Sequence, residues 1–189
     1  AEEIGMKSEF RNIAWDGIFA SLESGQANVI ASCVTITDKR KKAYVFSDPY
    51  YEVHQAVVVA KDSAIKKPED LKGKKVGVQI GTTAIEALRK MNVDIDLRTY
   101  DEVGLVFEDM RNGRLDVVVC DDPVARYYAS RKEGYKDLMK VAFLTEDVEY
   151  IGFVFSKDNA ELAAQVNKGL KAIRENSKEK AIRNKWLGE

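Results

Sequence analysis

The chain has 189 residues, 45% of them apolar and 32% charged, with a formal net charge of −1. That size holds one domain or two small lobes, and the near-neutral balance excludes a charge-driven binder of nucleic acid or of anionic membrane. No apolar run approaches the ~18 residues of a membrane span, and Cys33 and Cys120 form no C-x-x-C or Cys/His cluster for zinc.

In chain order, AEEIG reads as the end of a helix stopped at Gly5, and KSEFRNIA (7–14) as a strand. Two longer segments then repeat one another. GIFASLESGQANVIASC (17–33) aligns with LVFEDMRNGRLDVVVCD (105–121) when Gly25 is placed on Gly113, an offset of 88 positions. Phe19 then meets Phe107, Leu22 meets Met110, and Val29 meets Val117. Each segment reads as an amphipathic helix, a glycine at the helix end where a positive φ is wanted, and a short apolar strand. The strands NVIAS and DVVVC are β-branched runs without alternation, the pattern of a parallel sheet covered on both faces.

The second repeat sits in a complete α/β unit. KKVGVQI is a strand, Gly81-Thr82-Thr83 opens the helix TTAIEALRKM, DLRTY is a strand, and the helix EVGLVFEDM, strand DVVVC and helix DPVARYYASRK follow. AKDSAIKKPEDLKGK (60–74) is a connector with a helical turn at Pro68–Leu71. Further on come a strand and loop in YIGFVFSKDN, a helix with Leu162, Val166, Leu170 and Ile173 on its apolar face, and a last short helix. The charges of that last helix read as a solvated face, with Trp186 and Leu187 as its packing anchor. Carrying the offset of 88 back from Gly81 gives a position before residue 1, so by the repeat an opening strand, its loop and most of a helix are absent from the first unit.

The repeat also locates the polar residues. Cys33 and Asp121 become equivalents, each just past a strand's C-terminal end, where open α/β sheets bind ligands. In SCVTITDKRKKAYVFSDPYY (32–51), Arg40 stands after a strand end among Lys39, Lys41 and Lys42. It reads either as part of a solvated charge run or as a fork for a carboxylate. Asp121 and Asp122 precede Pro123; Asp122 is assigned to helix capping and Asp121 to a ligand. Thr82 and Thr83 serve as caps or as donors, and Trp15 in a generic protein reads as core. His54, the only histidine, reads as structural, and Tyr50 and Tyr51 as packing residues. The two cysteines read as unpaired, mostly buried thiols. GVQIGTT lacks the lysine of a phosphate-binding P-loop, and no Gly-x-Ser-x-Gly or Ser/His/Asp set is present.

The runs Ser-x-x-Thr-Ile-Thr-x-x-Arg, Phe-Ser-x-Pro-Tyr, KKPEDLKGKKVGVQIGTT, NGRLDVVVCDDPVARYY and the final NKWLGE together resemble the amino-acid-binding proteins of bacterial ABC importers, family 3 of the extracellular solute-binding proteins. The resemblance covers the whole chain in order. It implies a periplasmic-binding-protein-like α/β fold of type II, with two α/β lobes joined by two crossover strands that close on a ligand. Residues 1–51 and 150–189 would form lobe 1, N-terminally incomplete, and residues 52–149 lobe 2.

The resemblance also implies roles. Arg40 grips the ligand's α-carboxylate, and Thr35 and the backbone around Cys33 complete the first-lobe contacts. Gly81, Thr82 and Thr83 donate from the second lobe, Asp121 receives the α-ammonium, and Trp15 walls the side-chain pocket. The implied function is capture of a polar amino acid and delivery to a membrane permease, in the periplasm or outside the cell, with a lipid on a removed N-terminal segment as one mode of anchoring. No catalysis, cofactor, metal, nucleic acid or direct membrane insertion is implied. Two alternatives stand on the same scaffold: a cyclohexadienyl or arogenate dehydratase, and the ligand-sensing domain of a receptor.

Overall fold

The computed structural model describes residues 1–187; Gly188 and Glu189, which end the NKWLGE run, lie outside the described residues. In chain order the elements are a 3-10 turn at Glu2–Ile4, a second at Trp15–Gly17 running into α1 (Ile18–Glu23), β1 (Ile30–Thr35), α2 (Asp38–Lys41), β2 (Val45–Phe46), β3 (Tyr51–Val53) and β4 (Gln55–Ala60). A 3-10 turn at Pro68–Leu71 precedes β5 (Lys75–Gln79), α3 (Ala84–Met91), β6 (Asp96–Tyr100), α4 (Val103–Arg111), β7 (Val117–Asp121) and α5 (Asp122–Ser130). The chain then forms β8 (Met139–Leu144), β9 (Glu149–Phe155), a 3-10 turn at Lys157–Asn159, α6 (Ala160–Glu175) and α7 (Lys178–Leu187). Two compact units result. Unit 1 holds Ala1–Ile13, Gly17–Glu52 and the chain from Glu149 onward; unit 2 holds Ala14–Asp16 and Val53–Val148.

Unit 2 is built on a five-stranded sheet in the order β6-β5-β7-β4-β8. β5 is parallel to β6 and β7, whereas β4 runs antiparallel to both β7 and β8. The sheet is therefore mixed, not wholly parallel. A β-branched run buried on both faces reads the same in either direction, so the pattern of DVVVC does not report strand polarity. Alternation along β4 divides its valines between two cores. Val57 and Val59 join Val76, Val78, Leu71 and Leu88; Val58 joins Val118, Phe107, Met110 and Tyr128. Each fully buried side chain of this size contributes roughly 1.5–3 kcal/mol.

Gly77 lies inside β5, where a β-carbon would stand 2.4 Å from Leu115 Cδ1 and 2.6 Å from Val106 Cγ1. Both neighbours are buried, so relief requires repacking of the core. Gly77→Ala is expected to lower stability by about 1–3 kcal/mol, read as a shift of the urea midpoint at unchanged slope.

Two adjacent carboxylates on α4 tie that helix to its surroundings. Tyr135 donates to Glu108 Oε2 at 2.6 Å, and Tyr100 donates to Asp109 Oδ2 at 2.8 Å. The Tyr135 hydroxyl, helped by Arg111, holds Glu108 below the ordinary carboxylate range; the Tyr100 hydroxyl and then Arg114 do the same for Asp109. A carboxyl depressed in the folded state stabilises it above the unfolded pKa of about 4, and that contribution disappears as pH falls through the folded values. Acid titration is thus expected to lower the urea midpoint from about pH 5 downward. Tyr135→Phe should flatten this slope; an unchanged slope would remove Glu108 from the account.

Unit 1 carries a four-stranded sheet in which β9 pairs with β1, β2 and β3. β1 and β2 both run antiparallel to β9. Gly25 and Gly113, matched by the repeat, both adopt the left-handed conformation, with φ of 73° and 71°. The strand equivalents differ, however. β7 lies between β4 and β5, while β1 is an edge strand among the described residues. Its ladder breaks between Ile30 and Val34, and Cys33 there takes φ 52°.

Residues 7–14 form no strand, against the sequence expectation. Their repeat equivalent, β6, is paired to β5, and no strand stands beside residues 7–14 in that role among the described residues. An extended segment without a ladder partner has no backbone bonds to hold it as a strand. A groove of about 660 Å³ lies between this segment, β1 and α6, with Ile4, Ile30, Leu162, Val166 and Leu170 on its walls. Two further expectations are corrected. Trp186 is 65% exposed and no residue of α7 is fully buried, so Trp186 is not a buried anchor. Cys33, at the break in the β1 ladder, is exposed, whereas Cys120 is buried, and neither is in a disulfide. Among the described residues no helix is long and apolar enough to cross a membrane.

Candidate functional site

The sequence-derived site residues fall into two groups, one in each unit. In unit 1, β1 ends at Thr35, which is 5% exposed. Thr37 caps α2 by accepting the Arg40 backbone N–H at 3.2 Å, which fixes the turn bearing Arg40. The Arg40 side chain folds back, and its Nη1 donates to the Thr35 carbonyl at 2.8 Å. The guanidinium carbon lies 5.7 Å from the centroid of the Phe19 ring, which packs against Tyr44. Arg40 is therefore held by a carbonyl and an aromatic face, unlike a lysine-flanked surface arginine. The Thr35 hydroxyl donates to Glu149 Oε2 at 3.1 Å. Arg40, Thr35 and Glu149 form one chain of contacts, with Cys33 two residues upstream of Thr35 at the bulge.

Burial and the Glu23 carboxylate push the Tyr44 phenol up to about 12. Tyr44 donates to Glu23 Oε1 at 2.6 Å, which anchors the aromatic floor beneath Arg40.

In unit 2 the site residues lie at the C-terminal ends of β5 and β7, the edge at which open α/β sheets take ligands. β5 runs into Gly81, which adopts φ 72°, a left-handed conformation that favours glycine. A β-carbon at Gly81 would lie 3.5 Å from Trp15 Nε1, so the indole stands beside this loop. Thr82 donates its hydroxyl to the Gln79 carbonyl at 2.8 Å, closing the turn. Thr83 occupies the N-cap position of α3, yet its side chain makes no capping bond.

Asp121 likewise occupies the N-cap position of α5 without capping it. A capping side chain is worth about 1 kcal/mol, and both residues forgo it. Their side chains turn instead to Gln55, whose Nε2 lies 2.7 Å from Asp121 Oδ1 and 3.3 Å from Thr83 Oγ1. Asp122, expected to be the cap, does something else. Its Oδ1 accepts the His54 backbone N–H at 3.1 Å, and its Oδ2 pairs with Arg126 at 3.0 Å. As the first residue of α5, one position beyond the cap, it locks the helix start to the segment before β4. His54 sits in the same seam, with Nδ1 2.8 Å from the Thr145 carbonyl.

The structure thus brings Trp15, Gly81, Thr82, Thr83 and Asp121 to one end of unit 2, and Cys33, Thr35 and Arg40 to one end of the unit 1 sheet. Two members were not read from the sequence. Gln55 opens a valine-rich strand and resembles an ordinary strand start; Glu149 opens β9 and resembles surface charge. Their signal was positional, since each faces a residue already singled out, but cross-strand register is not visible in one sequence. Among the described residues no group of three or more His, Cys, Asp or Glu is placed to hold a metal ion.

Two α/β units, each with polar groups at the strand ends, make this a periplasmic-binding-protein-like fold. The solved structure of the arginine-, lysine-, histidine-binding protein ArtJ from Geobacillus stearothermophilus superposes with a TM-score of 0.92 at 35% identity, covering 100% of this chain and 81% of that one. An ancestral amino acid-binding protein, AncCDT-1, a precursor of cyclohexadienyl dehydratase, matches with a TM-score of 0.89 at 37% identity, covering 98% and 80%. In sequence, the L-cystine-binding protein TcyJ of Escherichia coli (strain K12) is 33% identical over 190 aligned positions, 100% of this chain and 70% of that protein. The model of bacterial extracellular solute-binding proteins, family 3, matches residues 1–189, and the chain belongs to that family.

Proposed function

We propose that the chain binds a single polar α-amino acid and passes it to the membrane permease of an ABC importer, outside the cytoplasm. Arg40 takes the carboxylate, with Thr35 and the Cys33 backbone beside it. Asp121 takes the ammonium, with the Gly81–Thr83 loop donating and Trp15 against the side chain. Residues 1–51 and 150–189 act as one lobe and residues 52–149 as the other, so each lobe supplies one pole of the recognition. The observation that carries this reading is the pair of strand ends matched by the repeat: a fixed guanidinium follows one and a non-capping carboxylate ends the other. Charge-assisted bonds to both poles of a zwitterion give affinity without chemistry. The relatives that bind cystine, and arginine, lysine or histidine, support the ligand class.

Titration calorimetry with L-arginine, L-lysine, L-histidine and L-cystine tests it. Saturable binding of at least one at micromolar concentration is expected; no heat from any of the four at millimolar concentration rejects it. A second reading, elimination from a bound cyclohexadienyl acid, draws on the likeness to AncCDT-1. It predicts phenylpyruvate or phenylalanine from prephenate or arogenate, and the binding reading predicts neither.

A further inference from the structure

We propose that Gln55 is a positioning residue that aims the Asp121 carboxylate at the ligand's ammonium group and sets the protein's preference for α-amino acids over their desamino counterparts. The inference rests on the function proposed above. Gln55 is 1% exposed and stands directly across the ladder from Asp121. Its backbone is fixed from both sides: its N–H donates to Thr145 Oγ1 at 3.1 Å, and its carbonyl accepts the Thr145 N–H at 2.8 Å. From this backbone the side-chain amide extends to Asp121 Oδ1 and Thr83 Oγ1. One buried amide therefore organises two of the proposed ligand groups, carried by two different helix starts.

The chemistry of the amide matters as much as its place. Buried polar groups are as a rule hydrogen-bonded, and the Nε2 end of this amide meets that rule through Asp121 and Thr83. An amide N–H orients a carboxylate but leaves its charge intact. Lysine or arginine at this position would hold Asp121 as firmly and neutralise it, removing the attraction for an ammonium. A leucine would fill the space and leave the carboxylate free to rotate back to cap α5, where the backbone N–H groups of the first turn favour an anion. Glutamine keeps Asp121 both charged and turned away from the cap.

The test compares each amino acid with the analogue lacking its ammonium: L-arginine with 5-guanidinopentanoate, and L-histidine with imidazolepropanoate. In the wild type the analogue should bind at least about 30-fold more weakly, since a site built for a polar group rejects a ligand without it. Gln55→Leu is expected to weaken the amino acid by about tenfold or more and the analogue by less than about threefold, so the preference collapses. Equal weakening of both, as a merely structural role would give, overturns the proposal, and so does an unchanged preference.

Gln55→Glu keeps the residue's size and tests the same point should the leucine variant not fold. Two carboxyl groups at this distance share a proton, and the protonated form again donates to Asp121. Its amino-acid affinity should be low at pH 8 and recover toward pH 5, a recovery the wild type lacks. Wild-type affinity across that range overturns the proposal. A wild type that binds none of the amino acids rejects the function itself, whereas a wild type that binds them with a preference indifferent to residue 55 rejects only the role of Gln55.

Discussion

Arg40→Ala is expected to weaken amino-acid binding by about 100-fold or more, the largest functional loss from any one substitution. Two charge-assisted hydrogen bonds to a carboxylate contribute roughly 1.5–3 kcal/mol each, and every 1.4 kcal/mol is tenfold in affinity. Arg40→Lys keeps the charge and loses the planar fork, so its loss should be intermediate. Because Arg40 also braces the Thr35 carbonyl, urea denaturation of each variant separates lost binding from lost folding. An affinity within twofold of wild type at unchanged stability would remove Arg40 from the site.

Phe107→Ala is expected to be the most damaging change to the fold, at about 3–5 kcal/mol. The ring is fully buried in unit 2 and stacks on Tyr128, with centroids 3.7 Å apart and planes 6° from parallel. Tyr128 meets Tyr135 edge-on at 5.2 Å, so the cavity would open inside an aromatic cluster. Phe19, the repeat partner of Phe107, is half-buried beside Tyr44 and Arg40. Its truncation should cost less stability and more binding. A loss below about 1 kcal/mol for Phe107→Ala would mean that the core of unit 2 is not the one described here.

The contrast between these two phenylalanines shows what one sequence reveals. The repeat identified them as equivalents, and their helices and the left-handed glycines Gly25 and Gly113 follow that pattern. Helix, glycine and strand are local features, set by periodicity and backbone conformation. What a side chain packs against is set by neighbouring strands and is not local. For the same reason residues 7–14 carry a strand-like composition and form no ladder, and DVVVC is flanked by one parallel and one antiparallel neighbour.

The candidate site divides similarly. Arg40, Thr35, Thr83 and Asp121 were legible because strand ends and helix starts are marked in sequence. Gln55 and Glu149 were not, because each acquires its role only through a cross-strand or long-range contact. Asp122 was misassigned as a cap since Asp-Asp-Pro permits either aspartate at a helix start, and only the His54 N–H decides between them.

The break in β1 limits what residue 33 can be. Cys33 holds φ 52°, in the left-handed region that residues with a β-carbon seldom enter and glycine enters at no steric cost. The bend there is thus carried against a local conformational penalty, and Cys33→Gly would relieve it while keeping the bend and removing the thiol.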